Sequence, residues 1–353
     1  MKSKLVILFI LVGSFYVSGQ TTAPKYSNEF LHNGLDARGL SLGGAHVSLT
    51  GDVNSFYWNP SGVLNIQEDL QATITHSEQL ASLSRYTHIG FAKKIDSISV
   101  FGISAIRFCT DNLPDTRGFI TSNGTTQSGP SATFATKNYG VFLTYGRQIK
   151  NFQTGANLKI VYRKIGDFAN AWGIGFDVGM QKVIKNWKLG FVLKDGTGTY
   201  NTWFINSDAL DEVFAQTDNQ VPSNSLEISL PRLVSGVHRT FKLNDSTLYC
   251  TGALDFETTF DGKRNTLLGT SLFSINPHAG IELNYENKYY LRYGVTNFRK
   301  ETINADEQKL RLQNNIGIGL KKGRFAIDYA FLNFNRLAEE LYSHVFSLKM
   351  SIN

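Results

Sequence analysis

The chain has very little of several things that ordinary folds need. It has two cysteines, Cys109 and Cys250, in 353 residues, too few for a disulfide framework, and a domain of this size needs none. It has only seven prolines. Beyond the first twenty residues no apolar run escapes interruption by Lys, Asp, Gly or Asn, which excludes a downstream transmembrane helix. Neither sign of charge forms a run. The net charge is +6, and without Lys2 and Lys4 there are 33 basic residues against 29 acidic ones, a mild excess that makes nucleic acid a poor partner.

What is present points elsewhere. Lys2 and Lys4 precede an apolar stretch from Leu5 to Val17, and Val17-Ser18-Gly19 offers small residues for cleavage before Gln20. That is the layout of a secretory signal peptide over 1–19, and the stretch is too short for a spanning helix. The rest holds 25 Phe, 15 Tyr and 4 Trp together with 32 Gly. An exported chain with this composition is a secreted β-protein or an outer-membrane barrel.

Period-two alternation supports strands. Trp172, Ile174, Phe176, Val178 and Met180 alternate with Gly173, Gly175, Asp177, Gly179 and Gln181. Phe325, Ile327, Tyr329 and Phe331 do the same, as do Phe346, Leu348, Met350 and Ile352 against Ser347, Lys349 and Ser351. Successive side chains point to opposite faces, so one face is bulky and apolar and the other small or polar. In a membrane barrel the bulky face meets lipid; in a small soluble barrel it fills the interior. Strands are expected near 69–76, 84–94, 97–107, 136–149, 152–164, 171–184, 187–195, 226–241, 247–259, 276–286, 289–298, 309–321, 323–332 and 342–352. The count is about fourteen, with many lengths fit to cross a bilayer. Short turns at 94–96 and 286–288 contrast with long polar loops at 108–135 and 196–225. In the second loop Ser207 and Asp211 or Glu212 suggest a capped short helix.

Residues 20–66 do not alternate. They carry Ala37-Arg38-Gly39, Gly43-Gly44-Ala45, Asp52 and Tyr57-Trp58-Asn59-Pro60-Ser61-Gly62, a glycine-rich, turn-forming block. A segment of this kind, ahead of a barrel over 67–353, can enter the lumen as a hatch. Its motif residues are Arg38, Gly43, Gly44, Asp52, Trp58, Asn59, Pro60 and Gly62.

This block resembles the PorV/PorQ family of outer-membrane proteins, itself similar to the FadL long-chain fatty-acid transporters. The resemblance continues through His76, Asn138-Tyr139, Thr144-Tyr145, Pro277-His278-Ala279-Gly280-Ile281-Glu282, Leu291-Arg292-Tyr293-Gly294, Asp328-Tyr329-Ala330-Phe331 and His344. Ser61 stands where those families usually have Ala, and the chain ends Ser351-Ile352-Asn353 without a terminal aromatic. The resemblance implies a closed antiparallel all-β barrel of fourteen strands in the outer membrane of a Gram-negative bacterium, with an N-terminal plug. It also implies association with type IX secretion: a translocon, a surface-attachment complex or secreted cargo as partner.

No Gly-x-Ser-x-Gly, Walker or His-Glu-x-x-His motif is present, and the seven histidines lack metal-ligand spacing. The expectation is a non-enzyme without cofactor or metal, in contact with outer-membrane lipid. The polar face carries Lys159, Arg163, Asp177, Asp255, Glu257, Glu282, Arg292 and Asp328, charges expected in the lumen and in need of partners. Arg38 and Asp52 are candidates to pair with them. Phe119, Tyr200, Trp203, Phe204 and Phe214 are the loop aromatics offered for contact. Two functions compete: a partner-binding barrel of type IX secretion, favoured by the resemblance, and a FadL-like transporter of a hydrophobic small molecule.

Overall fold

Alternation of side chains along every strand fixes the architecture. The computed structural model describes residues 27–115, 117, 132–216, 220, 224–243, 247–304, 307–335 and 342–352; the expected signal peptide lies outside them. Fourteen antiparallel strands close into one barrel. They are β1 (Leu70–Gln79), β2 (Ser84–Lys94), β3 (Ser99–Asp115), β4 (Ala132–Ile149), β5 (Phe152–Ile165) and β6 (Ala169–Ile184). β7 is interrupted (Trp187–Lys194, then Thr199–Ile205), and so is β8 (Ser225–Ser229, then Arg232–Lys242). β9 (Leu248–Thr259), β10 (Ser274–Tyr285), β11 (Tyr289–Asn304), β12 (Glu307–Lys322), β13 (Phe325–Leu332) and β14 (Ser343–Ile352) complete the wall. β1 pairs with β14 from Leu70↔Ile352 to Glu78↔His344, so no sheet edge is left open.

The faces have the polarity of a membrane barrel. Ile74, Phe91, Ile103, Trp172, Ile174, Phe176, Ile281, Leu291, Ile318 and Phe346 point outward and are exposed. Thr75, Asn157, Lys159, Asp177, Asp255 and Arg292 point inward and are buried. Lipid solvates the first set, while the second must find partners inside. None of the helices among the described residues is long and apolar enough to cross a membrane. One rim carries the short turns near 95–98, 150–151, 185–186, 286–288 and 323–324, and both ends of the wall start there. The longer connections leave the wall at the other rim, after Asp115, Ile205, Thr259 and Leu332, which makes it the extracellular one.

Two expectations change. The loop expected over 196–225 contains a strand, Thr199–Ile205, so Tyr200, Trp203 and Phe204 are wall residues rather than loop residues.

 The alternation there places Tyr200 and Phe204 outward and turns Asn201 and Trp203 inward, and the glycines at 196 and 198 had masked it as a loop. The helix in that connection starts later than its capping pattern suggests: Ser207–Ala209 is a 3-10 turn without a side-chain cap, and α-helix covers only Asp211–Gln216.

Residues 27–66 lie inside the barrel. They form two short helices, α1 (Ala37–Ser41) and α2 (Ser55–Trp58), with 3-10 turns at Glu29–His32 and Pro60–Asn65. Asp36 caps α1 by accepting from the Gly39 N–H at 3.2 Å. Against β2–β5 the segment packs through apolar side chains: Phe30, Leu31, Leu35, Phe56 and Tyr57 meet Tyr86, Ile106, Phe142 and Val161. The Phe56 and Phe142 rings meet edge-to-face at 5.0 Å.

Candidate functional site

The interior segment meets the rest of the wall through backbone and charge. Gly146, Gly155 and Gly179 are cross-strand partners on β4, β5 and β6, Gly190 pairs with Gly236, and Gly280 pairs with Gly294. These glycines form a belt facing inward, and the segment's backbone lies on it. A Cβ at Gly155 would strike Pro60 and Ser61, and one at Gly294 would strike Leu42 and Gly43. The contact is therefore closer than any side chain would permit.

The hatch motif supplies the matching shape. Gly43 (φ 68°) and Gly44 (φ 85°) adopt left-handed backbone that other residues take up only with strain. Asn59 donates to the carbonyls of Val47, Met180 and Phe191 at 3.0, 3.2 and 3.3 Å, tying the segment to itself and to two strands. Its Oδ1 accepts from the Ser61 N–H, and Pro60 opens the following turn. A Cβ on Gly62 would meet Thr50 and Ser55. The Trp58 indole N–H donates to Asp36 Oδ1 at 2.6 Å, and its ring lies edge-on to His46.

Charged side chains fasten this assembly. Arg38 donates through Nε and Nη2 to the two Glu282 oxygens at 3.0 and 2.9 Å. Glu282 also accepts from Arg292 Nε at 2.6 Å, and Arg292 reaches Asp328 at 2.7 Å. Asp52 is paired with Lys349 of β14. Burial alone would raise the Asp52 carboxyl, but Lys349, and after it Arg38, hold it well below the usual range. Burial, with Arg38 adding to it, pushes the His46 imidazole down to about 3. Asp255 accepts the backbone N–H groups of His46 and Val47, each at 2.7 Å.

The remaining charges serve the wall. Lys159 contacts Asp177 at 2.7 Å and Asp195, and Arg163 contacts Glu227 at 2.9 Å. The partners Lys349, Asp195 and Glu227 were absent from the sequence-derived set. Lys349 could have been found by its place on the polar face of the last strand; Asp195 and Glu227 stood at the ends of expected strands, on either side of the expected loop 196–225. Trp203 is buried with the Arg163 guanidinium 4.8 Å from its ring centre, whereas Tyr200 and Phe204 face outward. Phe214 is half-buried on the short helix, and Phe119 lies outside the described residues. The four described aromatics therefore do not form one group: Tyr200 and Phe204 face outward, Trp203 faces inward and Phe214 lies on the short helix.

Spaces lie on both sides of α1. On the extracellular side a vestibule of about 740 Å³ is lined by Leu40, Gly43, Gly44, Trp58, Lys194, Arg232 and His278, among others. On the other side a cavity of about 260 Å³ is lined by Arg38, Asp52, Glu282 and Lys349. Leu40 faces one and Arg38 the other, so a single helical turn separates them.

The vestibule also reaches an irregularity in the wall. Between the pairs Lys194↔Arg232 and Thr199↔Ser229, four β7 residues, 195–198, oppose two β8 residues, 230–231. Asp195 takes left-handed backbone (φ 52°), and its N–H is met by the Asp177 side chain at 2.9 Å rather than by a ladder carbonyl. Lys194 and Arg232, which border this break, line the vestibule floor.

Several solved structures share this closed barrel fold. The chain is similar to the CymD monoaromatic hydrocarbon channel (TM-score 0.58, 10% identity, covering 91% of this chain and 98% of that one). It is similar to the Ralstonia pickettii toluene transporter TbuX (0.54, 12%, 91% and 99%) and to a Pseudomonas aeruginosa FadL homologue (0.52, 11%, 90% and 98%). At these identities the likeness concerns the fold. No protein-family model matches the chain, and no curated protein matches it. None of the comparisons supports the PorV/PorQ membership or the type IX association implied by the hatch motif.

Proposed function

We propose that the protein is a FadL-like channel that admits a hydrophobic small molecule through the outer membrane. The observation that carries this reading is the junction of the vestibule floor with the break in β7 and β8. A molecule entering from outside meets the closed turn α1 below and the interrupted ladder beside it. A break in the hydrogen-bonded wall costs stability, and such irregularities mark places where a strand is re-aimed for use. The fold neighbours, among them a monoaromatic hydrocarbon channel and a toluene transporter, support the same direction. This reverses the order of preference drawn from the hatch motif. The secretion-partner reading rests on that resemblance and on the polar composition of loop 108–135, and no geometric feature among the described residues favours it.

Deleting Gly196 and Thr197 would equalise the two strands across the break. Whole cells carrying this variant should take up labelled toluene no faster than cells without the protein, while heat-modifiable gel mobility shows a folded barrel. Uptake equal to that of the full chain, in a folded variant, would rule out passage at the break.

A further inference from the structure

We propose that the outward face of β2–β5, at its extracellular end, binds a phosphate-bearing lipid of the outer leaflet. On each of these four strands a basic residue directly follows the last apolar or aromatic position of the lipid-facing run, or the threonine that ends it. On β2 the run Phe91, Ile89, Thr87 ends at Arg85, and on β3 Ile103 and Ala105 end at Arg107. On β4, Val141 and Tyr139 end at Lys137, and on β5, Ile160 and Tyr162 end at Lys164. All four basic residues are exposed.

Register brings them together. Arg85 opposes Cys109, Cys109 opposes Lys137, and Lys137 opposes Lys164. Arg107 opposes Tyr139, one position diagonal to Lys137. Like charges placed across strands repel one another and are destabilising without a counter-ion. Acids answer only the ends of the row: Arg85 is paired with Asp111, and Lys164 with Asp167 at 3.2 Å. Among the described residues Arg107 and Lys137, at its centre, have no ion pair and no hydrogen bond through their side chains.

The rest of the wall differs. On β6, β9 and β14 the corresponding outward positions are Asn170 after Trp172, Thr258 after Phe256 and His344 after Phe346, none of them Lys or Arg. On β11 the exposed Lys300 stands opposite Leu310, a single cation rather than one of a row. Below the row the Tyr139, Tyr162 and Trp172 rings lie in sequence, with centres 6.2 and 4.7 Å apart. Amphipathic rings of this kind settle at headgroup level, which places the cations where lipid phosphates lie. Arg offers a planar fork that fits phosphate oxygens, and Lys a point charge beside it.

The test uses the full-length protein in mild detergent, with lipid A carrying its phosphates or stripped of them as probe, and retention read by native mass spectrometry. The protein should retain phosphorylated lipid A in preference to the stripped form. Each cation near an anionic headgroup contributes about 1 kcal/mol, roughly fivefold, so the double variant Arg107→Gln, Lys137→Gln should lose roughly twenty-five-fold in affinity. Lys93→Gln, an outward cation at the opposite rim, should leave binding unchanged. Equal retention of both lipids by the unaltered protein would overturn the proposal, as would a folded double variant that binds phosphorylated lipid A as well as the original.

Discussion

Replacing Arg38 by Met removes one clip between the interior segment and the wall while keeping the side-chain length. Both bonds to Glu282, at 3.0 and 2.9 Å, are lost, but the carboxylate keeps its 2.6 Å bond to Arg292. The penalty therefore stays below that of a fully orphaned buried charge, roughly 3–5 kcal/mol. Loss of charge-assisted hydrogen bonding sets it at about 2 kcal/mol, or roughly thirtyfold in a local opening equilibrium. Backbone amide exchange, read by mass spectrometry in lipid nanodiscs, measures that opening directly. Amides of residues 36–46 should exchange roughly thirtyfold faster in Arg38→Met, while those of residues 156–161 in β5 stay as they were. An acceleration of the 36–46 amides below about threefold, under 1 kcal/mol, would refute the claim that this ion pair holds the segment in place.

Three further outcomes follow from the same geometry. Gly155→Leu drives a side chain into the Pro60–Ser61 backbone, at a cost of about 1–3 kcal/mol; residues 59–62 should become protease-sensitive while the barrel keeps its heat-modifiable mobility. Asp52→Asn leaves Lys349 without its counter-charge and should loosen the 50–56 amides, and adding Lys349→Met should restore most of the loss. His46 is neutral in the folded protein and titrates at about 3 there, against 6.5 when unfolded. Below the unfolded value the open segment takes up a proton that the packed one refuses, so stability falls as pH drops from 6.5 toward 3. The exchange-competent open fraction of residues 44–50 should grow between pH 7 and pH 5, after correction for intrinsic rates, and His46→Gln should remove that growth.

Much of the wall was legible because a barrel strand writes its two faces into the sequence. The segment around Trp172 to Gln181 reads as large and small in strict alternation, and it is β6. The interior block was legible for another reason, since left-handed glycines and Asn-Pro cannot belong to a strand. What escaped depends on register or on broken alternation. Gly146, Gly155 and Gly179 look unremarkable along the chain and become a belt only when three strands align. Thr199–Ile205 was hidden because Trp203 turns a bulky residue inward, against the trend of its neighbours, after two glycines. Asp195, which anchors the break, sits in left-handed backbone that no periodicity signals. The motif that suggested a secretion role describes how the segment packs, and packing alone does not name a partner.

Passage of a hydrophobic molecule is read from its uptake by intact cells. Labelled toluene should enter cells carrying the protein several times faster than otherwise identical cells without it, at equal levels of folded barrel. Equal uptake by both, with a translocon component or secreted cargo recovered on the purified protein, would contradict the channel and restore the secretion-partner reading.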